Sequence, residues 1–110
     1  MNRFRKGLLG EWRAAWYLRF RGMKVLAKRY RTAHGEIDLV CRDGKTTVFV
    51  EVKYRPQGKM GEGLAAVTAE KRRHLQYAAT LYLRQFPAED VRFDVVEITA
   101  AGVQHLKNAF

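Results

Sequence analysis

Residues 35–55, with the sequence GEIDLVCRDGKTTVFVEVKYR, restrict the fold more than any other part of the chain. Two segments rich in β-branched residues flank the dipeptide Asp43-Gly44, which is typical of a tight turn between antiparallel strands. Because side chains alternate along a strand and opposed residues share a face, the turn decides which residues meet. The segment therefore predicts a β-hairpin whose two faces differ in polarity.

Two registers fit this hairpin. A two-residue turn at Asp43-Gly44 pairs Glu36 with Glu51, whereas a four-residue connection pairs Asp38 with Glu51. In both registers Asp38, Glu51 and Lys53 lie on one face, and only a one-residue bulge breaks this relation. The other face is aliphatic and carries Ile37, Leu39, Val48, Val50 and Val52.

The charged face of the hairpin has two interpretations. Antiparallel hairpins commonly expose one face to water, and Glu-x-Lys is normal on a solvated strand. Opposed acids are unfavourable without a cation between them, however, and Mg²⁺ is usually held by one or two carboxylates together with substrate phosphate oxygens. Asp38, Glu51 and Lys53 thus form either a solvated face or a metal-dependent catalytic site in which Lys53 orients the attacking water.

Residues from about 4 to 21 predict a first helix, because Phe4, Leu8, Trp12 and Ala15 recur at helical spacing. Glu11 falls within this core-facing stripe, where an unpaired carboxylate is rare and costly. Two explanations stay open. Glu11 either pairs with an arginine of the same helix, or the helix packs over the hairpin and brings Glu11 toward the acids there.

The aromatic residues Trp12, Trp16 and Tyr17 of this helix suit two roles. Aromatic rings can stack on nucleic-acid bases, but the helical spacing of these three favours contacts with the core or with a second subunit. Gly10 weakens the first turns of the helix and indicates close packing or the approach of a ligand. Gly22 is expected to end the helix.

The rest of the chain completes the prediction of an α/β domain. Further strands are expected at residues 23–31, 91–98 and 103–108. A second helix is expected from its N-cap Thr68 to about residue 86, after a mobile loop at residues 56–63. No repeat or linker divides the chain, so we expect residues 1–110 to form one domain in which helices flank a central mixed sheet.

Basic residues predominate. The chain carries 21 Lys and Arg against 11 Asp and Glu, which gives a net charge of +10 and a pI near 10.2. This balance favours nucleic acid as a partner, because each neutralised phosphate releases counterions; a generic basic surface and an anionic membrane surface are the alternatives. The side chains expected to contact nucleic acid are Arg3, Arg5, Lys6, Arg13, Arg55, Lys71 and Arg72.

Several other functions are disfavoured. No apolar run approaches the roughly 18 residues of a membrane span, and charges interrupt the apolar positions of the N-terminus, unlike a signal peptide. The single cysteine, Cys41, excludes an internal disulfide and is expected to be a packing residue. The three histidines lack metal-ligand spacing, and Asp94 is expected to pair with Arg92. A cytoplasmic location without a membrane partner is the expectation.

Asp38 followed by Glu51-Val52-Lys53 resembles the signature of the PD-(D/E)XK nuclease superfamily. The blocks GLLGEWRAAWYL, GEIDLV, VFVEVKYR, AVTAEKRRHL and RFDVVEI also resemble those of the YraN-like family of small bacterial proteins, over almost the whole chain. The resemblance implies a restriction-endonuclease-like three-layer fold, similar to the archaeal Holliday-junction resolvases, which cut branched DNA with a divalent metal.

The resemblance also implies roles for individual residues. Asp38, Glu51 and the backbone carbonyl of Val52 would bind Mg²⁺ or Mn²⁺, Lys53 would be the water-orienting base, and Glu11 matches an acid of the first helix in junction resolvases. Lys71 lies where relatives often place a basic or polar residue near the phosphate. Ile37 replaces the superfamily's proline, and the second helix lacks a glutamine and a tyrosine separated by three residues, because Gln76 and Tyr77 are adjacent.

The expected function is a metal-dependent DNA endonuclease acting on branched or damaged DNA. A nucleic-acid-binding module that keeps the nuclease fold without turnover is the alternative. DNA is preferred to RNA as the partner. Because junction-cutting relatives dimerise to place two sites on a symmetric substrate, the resemblance leaves a homodimer open.

Overall fold

The computed structural model describes residues 3–59 and 67–110, and the side chains of residues 3–8 lie outside this description. The described elements are α1 (Arg3–Phe20), β1 (Lys24–Thr32), β2 (Gly35–Asp43), β3 (Thr46–Tyr54), α2 (Ala69–Gln85), β4 (Asp90–Thr99) and β5 (Gly102–Leu106). All seven elements expected from the sequence are therefore present. Of the predicted mobile loop at residues 56–63, the part from 60 onward lies outside the described residues.

The strands form one mixed sheet in the order β1-β2-β3-β4-β5. β3 and β4 are parallel and are connected through α2, while the other neighbours are antiparallel. Leu18 of α1 packs with Val48 and Val50, whereas Leu75 of α2 packs with Phe49. Because successive residues of a strand point to opposite faces, the two helices cover opposite sides of the sheet, as expected for an α/β protein.

The N-terminus of α2 and the C-terminus of α1 lie where the sequence predicts. Thr68 has an extended backbone and its hydroxyl accepts a hydrogen bond from the Lys71 amide at 3.2 Å, as in an N-cap. After α1, Gly22 has φ of +92°, a value that favours glycine, and the Met23 amide donates to the Leu18 carbonyl at 3.0 Å. Neither described helix combines the length and hydropathy needed to cross a membrane.

The buried face of α1 differs from the predicted stripe. Ala14, Ala15 and Leu18 are buried, whereas Trp12 and Trp16 are exposed, so the prediction that these tryptophans belong to the core is wrong. The cause lies in small residues: a Cβ on Gly10 would come within 2.6 Å of the Tyr54 Cβ, so α1 approaches β3 through Gly10 and its alanines rather than through large rings. The close packing predicted at Gly10 is thereby confirmed.

The hairpin adopts the second of the two predicted registers. Arg42 pairs with Thr47, and Leu39 pairs with Val50. The pair Asp43–Thr46 closes the turn around Gly44 and Lys45. The two-residue turn at Asp43-Gly44 is therefore wrong. The four-residue connection is wrong too, because Asp43 pairs with Thr46 and the turn consists of Gly44 and Lys45. Gly44 has φ of +61°, which explains why glycine occupies this turn.

The aliphatic face of the hairpin is confirmed for four of five residues. Leu39, Val48, Val50 and Val52 pack on the α1 side of the sheet, but Ile37 packs on the α2 side. Ile37 and Val40 lie in the same cluster although three positions separate them, so the alternation of β2 is interrupted around Asp38. Arg29, across from this segment on β1, has a left-handed φ of +52°.

Candidate active site

The strands β2 and β3 separate at the predicted acids. Among the described residues, their ladder ends at the pair Leu39–Val50, after which β2 continues beside β1 and β3 beside β4. Asp38 lies at this divergence, and its Oδ2 accepts a hydrogen bond from the Val52 amide at 2.8 Å. The region of this divergence, called the cleft below, has Asp38 on one strand and Glu51 on the other.

Helix α1 brings a third carboxylate to the cleft. One carboxylate oxygen each of Glu11, Glu36 and Asp38 lie within 4.8 Å of one another. The Glu11 side chain is 12% exposed and accepts a hydrogen bond from Arg29 Nε at 2.6 Å. The second explanation for Glu11 is thus confirmed, and the arginine that pairs with it comes from β1 rather than from its own helix.

Glu51 is more deeply buried than Glu11, Glu36 and Asp38, with 3% of the residue exposed. Its Oε1 lies 3.3 Å from Lys53 Nζ and 3.2 Å from Lys71 Nζ, so β3 and α2 each supply a cation. Its Oε2 is buried and has no hydrogen-bond partner among the described residues. A solvated hairpin face is therefore wrong at Glu51, and a buried carboxylate oxygen without a partner is costly unless a ligand satisfies it.

The cleft is unfavourable to negative charge. Burial, the nearby Glu51 carboxylate and, to a smaller extent, Glu11 raise the pKa of Asp38 to about 8, although the hydrogen bond from the Val52 amide acts in the opposite direction. Carboxylates that crowd one site each disfavour the ionised form of the others. A bound cation would remove this repulsion.

Lys71 compensates part of the charge. Burial by itself would lower the pKa of Lys71, but the ion pair with Glu51 outweighs burial, so its pKa is raised and the ammonium is retained. Lys71 stands in the first turn of α2, where backbone amides also favour anions. The Nζ atoms of Lys53 and Lys71 therefore both lie near Oε1 of Glu51. Its Oε2 has no hydrogen-bond partner among the described residues.

The chemistry of these donors fits a hard divalent cation. Mg²⁺ and Mn²⁺ prefer carboxylate, carbonyl and water oxygens. Glu11, Glu36 and Asp38 bring such oxygens within 4.8 Å of one another, and Glu51 is close enough to raise the pKa of Asp38. In a regular strand the N–H and C=O of one residue point toward the same neighbouring strand. Because the Val52 amide points to Asp38, we expect its carbonyl to face the same cleft.

The predicted nucleic-acid contacts are distributed over several environments. Arg13 is exposed and Arg55 is half-buried. Lys71 lies on Glu51, and the Arg72 guanidinium carbon lies 5.1 Å from the centre of the Phe110 ring with its Nε buried. The side chains of Arg3, Arg5 and Lys6 lie outside the described residues. Contact of these residues with nucleic acid stays a prediction.

Sequence reasoning missed three residues around the cleft. Arg29 was not expected to hold Glu11, since a basic residue on an edge strand is usually a solvated one. Glu36 lay opposite Glu51 in one of the two predicted registers, and it instead approaches Glu11 and Asp38. Glu97 is fully buried and pairs with Lys53 in the parallel ladder of β3 and β4. Its position in VVEI, amid apolar residues, is the signal that could have found it.

A second buried carboxylate lies outside the cleft. Asp94 accepts hydrogen bonds from Arg92 Nε and Nη2 at 2.8 and 2.9 Å and from the Asn108 amide at 2.9 Å, and His105 Nε2 lies 2.7 Å from its Oδ2. Burial alone would raise the pKa of Asp94, but these hydrogen bonds outweigh it and lower the pKa. The predicted pairing with Arg92 is confirmed.

Cys41 is buried beneath α1, and burial raises the pKa of its thiol to about 12. Such a thiol stays protonated at neutral pH and is a poor nucleophile. The expectation that Cys41 packs in the core is confirmed.

Known proteins resemble the chain over most of its length. Residues 10–98 match the profile of a family described as "Uncharacterised protein family UPF0102". A UPF0102 protein of Dechloromonas aromatica is 44% identical, over 96% of this chain and 88% of the relative. A UPF0102 protein of Syntrophomonas wolfei is 43% identical over the full length of both chains, and UPF0102 protein YraN of Salmonella typhi is 42% identical over 90% of this chain and 80% of the relative.

Proposed function

The chain belongs to the UPF0102 family, and we propose that it is a metal-dependent phosphodiesterase that hydrolyses DNA. The observation that carries the proposal is the cluster of Glu11, Glu36 and Asp38 carboxylates next to Glu51, whose buried Oε2 has no hydrogen-bond partner among the described residues. Clustered carboxylates are ligands that a divalent cation prefers. The proposal includes a restriction-endonuclease-like fold, with which the mixed sheet between two helices is compatible.

Asp38, Glu51 and Glu11 would hold the metal, together with the Val52 carbonyl. When bound, a divalent cation lowers the pKa of a coordinated water and neutralises charge that develops on the phosphate. The attacking water oxygen forms a bond to phosphorus while the bond to the leaving oxygen of the ester breaks. The water loses a proton, and the leaving oxygen gains one.

Lys53 and Lys71 have separate tasks in this scheme. The Lys53 ammonium, 3.3 Å from Glu51 Oε1, can donate to the attacking water and to a phosphate oxygen from the same position. Lys71, half-exposed at the start of α2, is suited to bind the phosphate next to the scissile one. Glu97 is buried beside Lys53 and would limit the positions that the Lys53 stem adopts.

Nucleic acid is the polyanion that fits the remaining surface. A net charge of +10 on 110 residues attracts phosphates over long distances and makes binding depend on salt. Branched or damaged DNA is the proposed substrate, by similarity to the archaeal junction resolvases. A homodimer and a cytoplasmic location belong to the same proposal.

Cleavage assays test the proposal directly. Wild type, Asp38→Asn and Glu51→Gln are incubated with junction, flap and linear DNA in Mg²⁺, Mn²⁺ or EDTA. We expect metal-dependent cleavage of at least one substrate and a loss of at least about a hundredfold in each variant, because each removes a ligand charge. Glu89→Gln, which changes an exposed acid before β4, is the matched control and should cleave as wild type does. Absence of cleavage in all three substrates with both metals would contradict the proposal.

One observation favours a second candidate, a nucleic-acid-binding module without turnover. Lys53 and Lys71 already contact Glu51, and Arg29 already contacts Glu11, so internal cations can offset part of the acid charge. This candidate predicts DNA binding that depends steeply on salt and is indifferent to Mg²⁺ and to Asp38→Asn. The affinity of wild type and Asp38→Asn for the same DNA in Mg²⁺ and in EDTA distinguishes the two functions.

A further inference from the structure

The outer face of α1 carries three exposed rings, Trp12, Trp16 and Phe20, which form the aromatic stripe. Their exposed fractions are 61%, 55% and 90%, although the opposite face of the same helix is buried against the sheet. The rings follow each other every four residues, about 6 Å apart along the helix axis. Helices that are apolar on both sides are normally buried on both sides, so the stripe requires a partner.

The charge around the aromatic stripe indicates which partner. Arg13 and Arg19 are exposed on the same helix, and the Arg19 guanidinium carbon lies 5.5 Å from the centre of the Trp16 ring. Glu11 is the only acid among residues 1–35, and it points inward to Arg29. A second copy of the chain would add arginines without acids to oppose them, and both copies carry +10. A polyanion supplies the complementary charge.

We propose that the aromatic stripe binds the unstacked bases of a single-stranded stretch of nucleic acid. In a duplex the faces of the bases are covered by neighbouring base pairs, whereas in a single strand they are free to stack on aromatic side chains. The Arg19 guanidinium carbon, 5.5 Å from the centre of the Trp16 ring, places a cation beside this ring. Aromatic rings with arginines beside them are the combination that single-strand binding requires, since the phosphates need the cations and the bases need the rings.

The position of the stripe connects it to the cleft. Trp12 directly follows Glu11 in the chain, and the stripe extends from there for about 12 Å toward the end of α1. The inference rests on the proposed function in one respect: the strand held on the stripe would continue into the acid cleft. It narrows the substrate to DNA that carries a single-stranded segment next to the cleavage site.

Intrinsic fluorescence gives a direct test, because Trp12 and Trp16 are the only two tryptophans of the chain. Wild type is titrated in EDTA with an oligothymidylate of about 20 nucleotides and with a duplex of equal length. We expect saturable quenching by the single strand, which should bind roughly tenfold more tightly than the duplex. Phe20→Ala keeps both tryptophans and should weaken single-strand binding by roughly tenfold while the affinity for the duplex is unchanged.

The control is Tyr77→Ala, which removes an exposed ring from α2 and should bind as wild type does. Equal affinities for single strand and duplex, or wild-type affinity in both Phe20→Ala and Trp16→Ala, would overturn the inference. A dimer in sedimentation equilibrium that Trp16→Ala dissociates would also overturn it, as would binding of the stripe to phosphatidylserine vesicles without single-strand quenching.

Cleavage assays separate this inference from the proposed function. If wild type cleaves in Mg²⁺ and the stripe variants cleave single-strand-containing DNA equally well, the inference fails while the proposed function stands. If the single strand quenches the tryptophans but no DNA is cleaved, the stripe is supported and the proposed function fails.

Discussion

Two aspartates of one sheet have opposite surroundings. Asp94 on β4 is enclosed by Arg92, His105 and the Asn108 amide, and these hydrogen bonds lower its pKa. Asp38 on β2 accepts one hydrogen bond from Val52 and faces other carboxylates, and its pKa is raised to about 8. The chain supplies Asp94 with several donors, whereas Asp38 has the Val52 amide and Glu51 Oε2 has no hydrogen-bond partner among the described residues.

This difference distinguishes structure from function within a single domain. Groups of the chain satisfy the Asp94 carboxylate, whereas Glu51 Oε2 is buried without a partner among the described residues, as the proposed metal site would explain. Local strain and strongly shifted pKa values are expected at sites where a ligand supplies a missing interaction. The same substitution, aspartate to asparagine, should therefore have opposite effects at the two positions.

The largest effect on stability is expected from Asp94→Asn. The variant leaves Arg92 without its bidentate partner inside the sheet, which should lower the free energy of unfolding by about 3–5 kcal/mol. The lowered pKa of Asp94 means that its contribution is present above its unfolded pKa and is lost as the pH falls below about 4. Urea unfolding of wild type and variant between pH 3 and 7 measures the loss of stability and its dependence on pH. Equal stabilities at pH 7 would show that the network around Asp94 is not needed by the fold.

Asp38→Asn should stabilise the metal-free protein. Because the pKa of Asp38 is raised from 3.8 to about 8, the folded state holds a proton that the unfolded state has lost between these values. Stability therefore falls as the pH rises through this window, by about 1.4 kcal/mol per pH unit for one proton. Asparagine removes this dependence and still accepts from the Val52 amide. Urea unfolding in EDTA at pH 5 and pH 8 measures this pH dependence. An equal change in the free energy of unfolding for wild type and variant would contradict the prediction.

A smaller effect is expected from Lys71→Met. Lys71 is half-exposed, and its ion pair with Glu51 is shared with Lys53, so the stability of the metal-free protein should change by less than about 1 kcal/mol. Its proposed role is with phosphate, and DNA binding should therefore weaken while metal binding is retained. Thermal unfolding and fluorescence anisotropy with a labelled DNA measure the two effects. A loss of stability comparable to that of Asp94→Asn would make Lys71 a structural residue instead.

Local patterns predicted the elements and much of the cleft. Alternation in TVFVEVKYR and the N-cap at Thr68 depend on neighbouring residues, so strands, helices and the shared face of Glu51 and Lys53 followed from the sequence. The approach of Glu11 to Asp38 was one of two open explanations, because the orientation of a helix depends on packing that periodicity does not contain.

The predictions that were wrong also depended on packing and on contacts that local patterns do not contain. The helical spacing of Trp12 and Trp16 favoured contacts with the core or with a second subunit, yet Gly10 and the alanines allow a closer contact with β3, so the rings point outward. Ile37 was placed by strict alternation, which the interruption around Asp38 breaks. Arg29 as the partner of Glu11 depends on a contact between distant segments, and no local pattern encodes such a contact.

Calorimetric titration of Mn²⁺ tests most directly whether the acids around Asp38, unlike Asp94, form a metal site. Mn²⁺ is titrated into wild type, Glu51→Gln and Asp94→Asn at pH 7, in two buffers with different ionisation enthalpies. The account predicts saturable binding to wild type with release of up to one proton, because Asp38 must ionise to coordinate. It predicts binding to Asp94→Asn that resembles wild type and at least about tenfold weaker binding to Glu51→Gln. Equal Mn²⁺ affinities in wild type and Glu51→Gln, or binding without release of a proton, would contradict the claim that the cleft is built for a divalent cation.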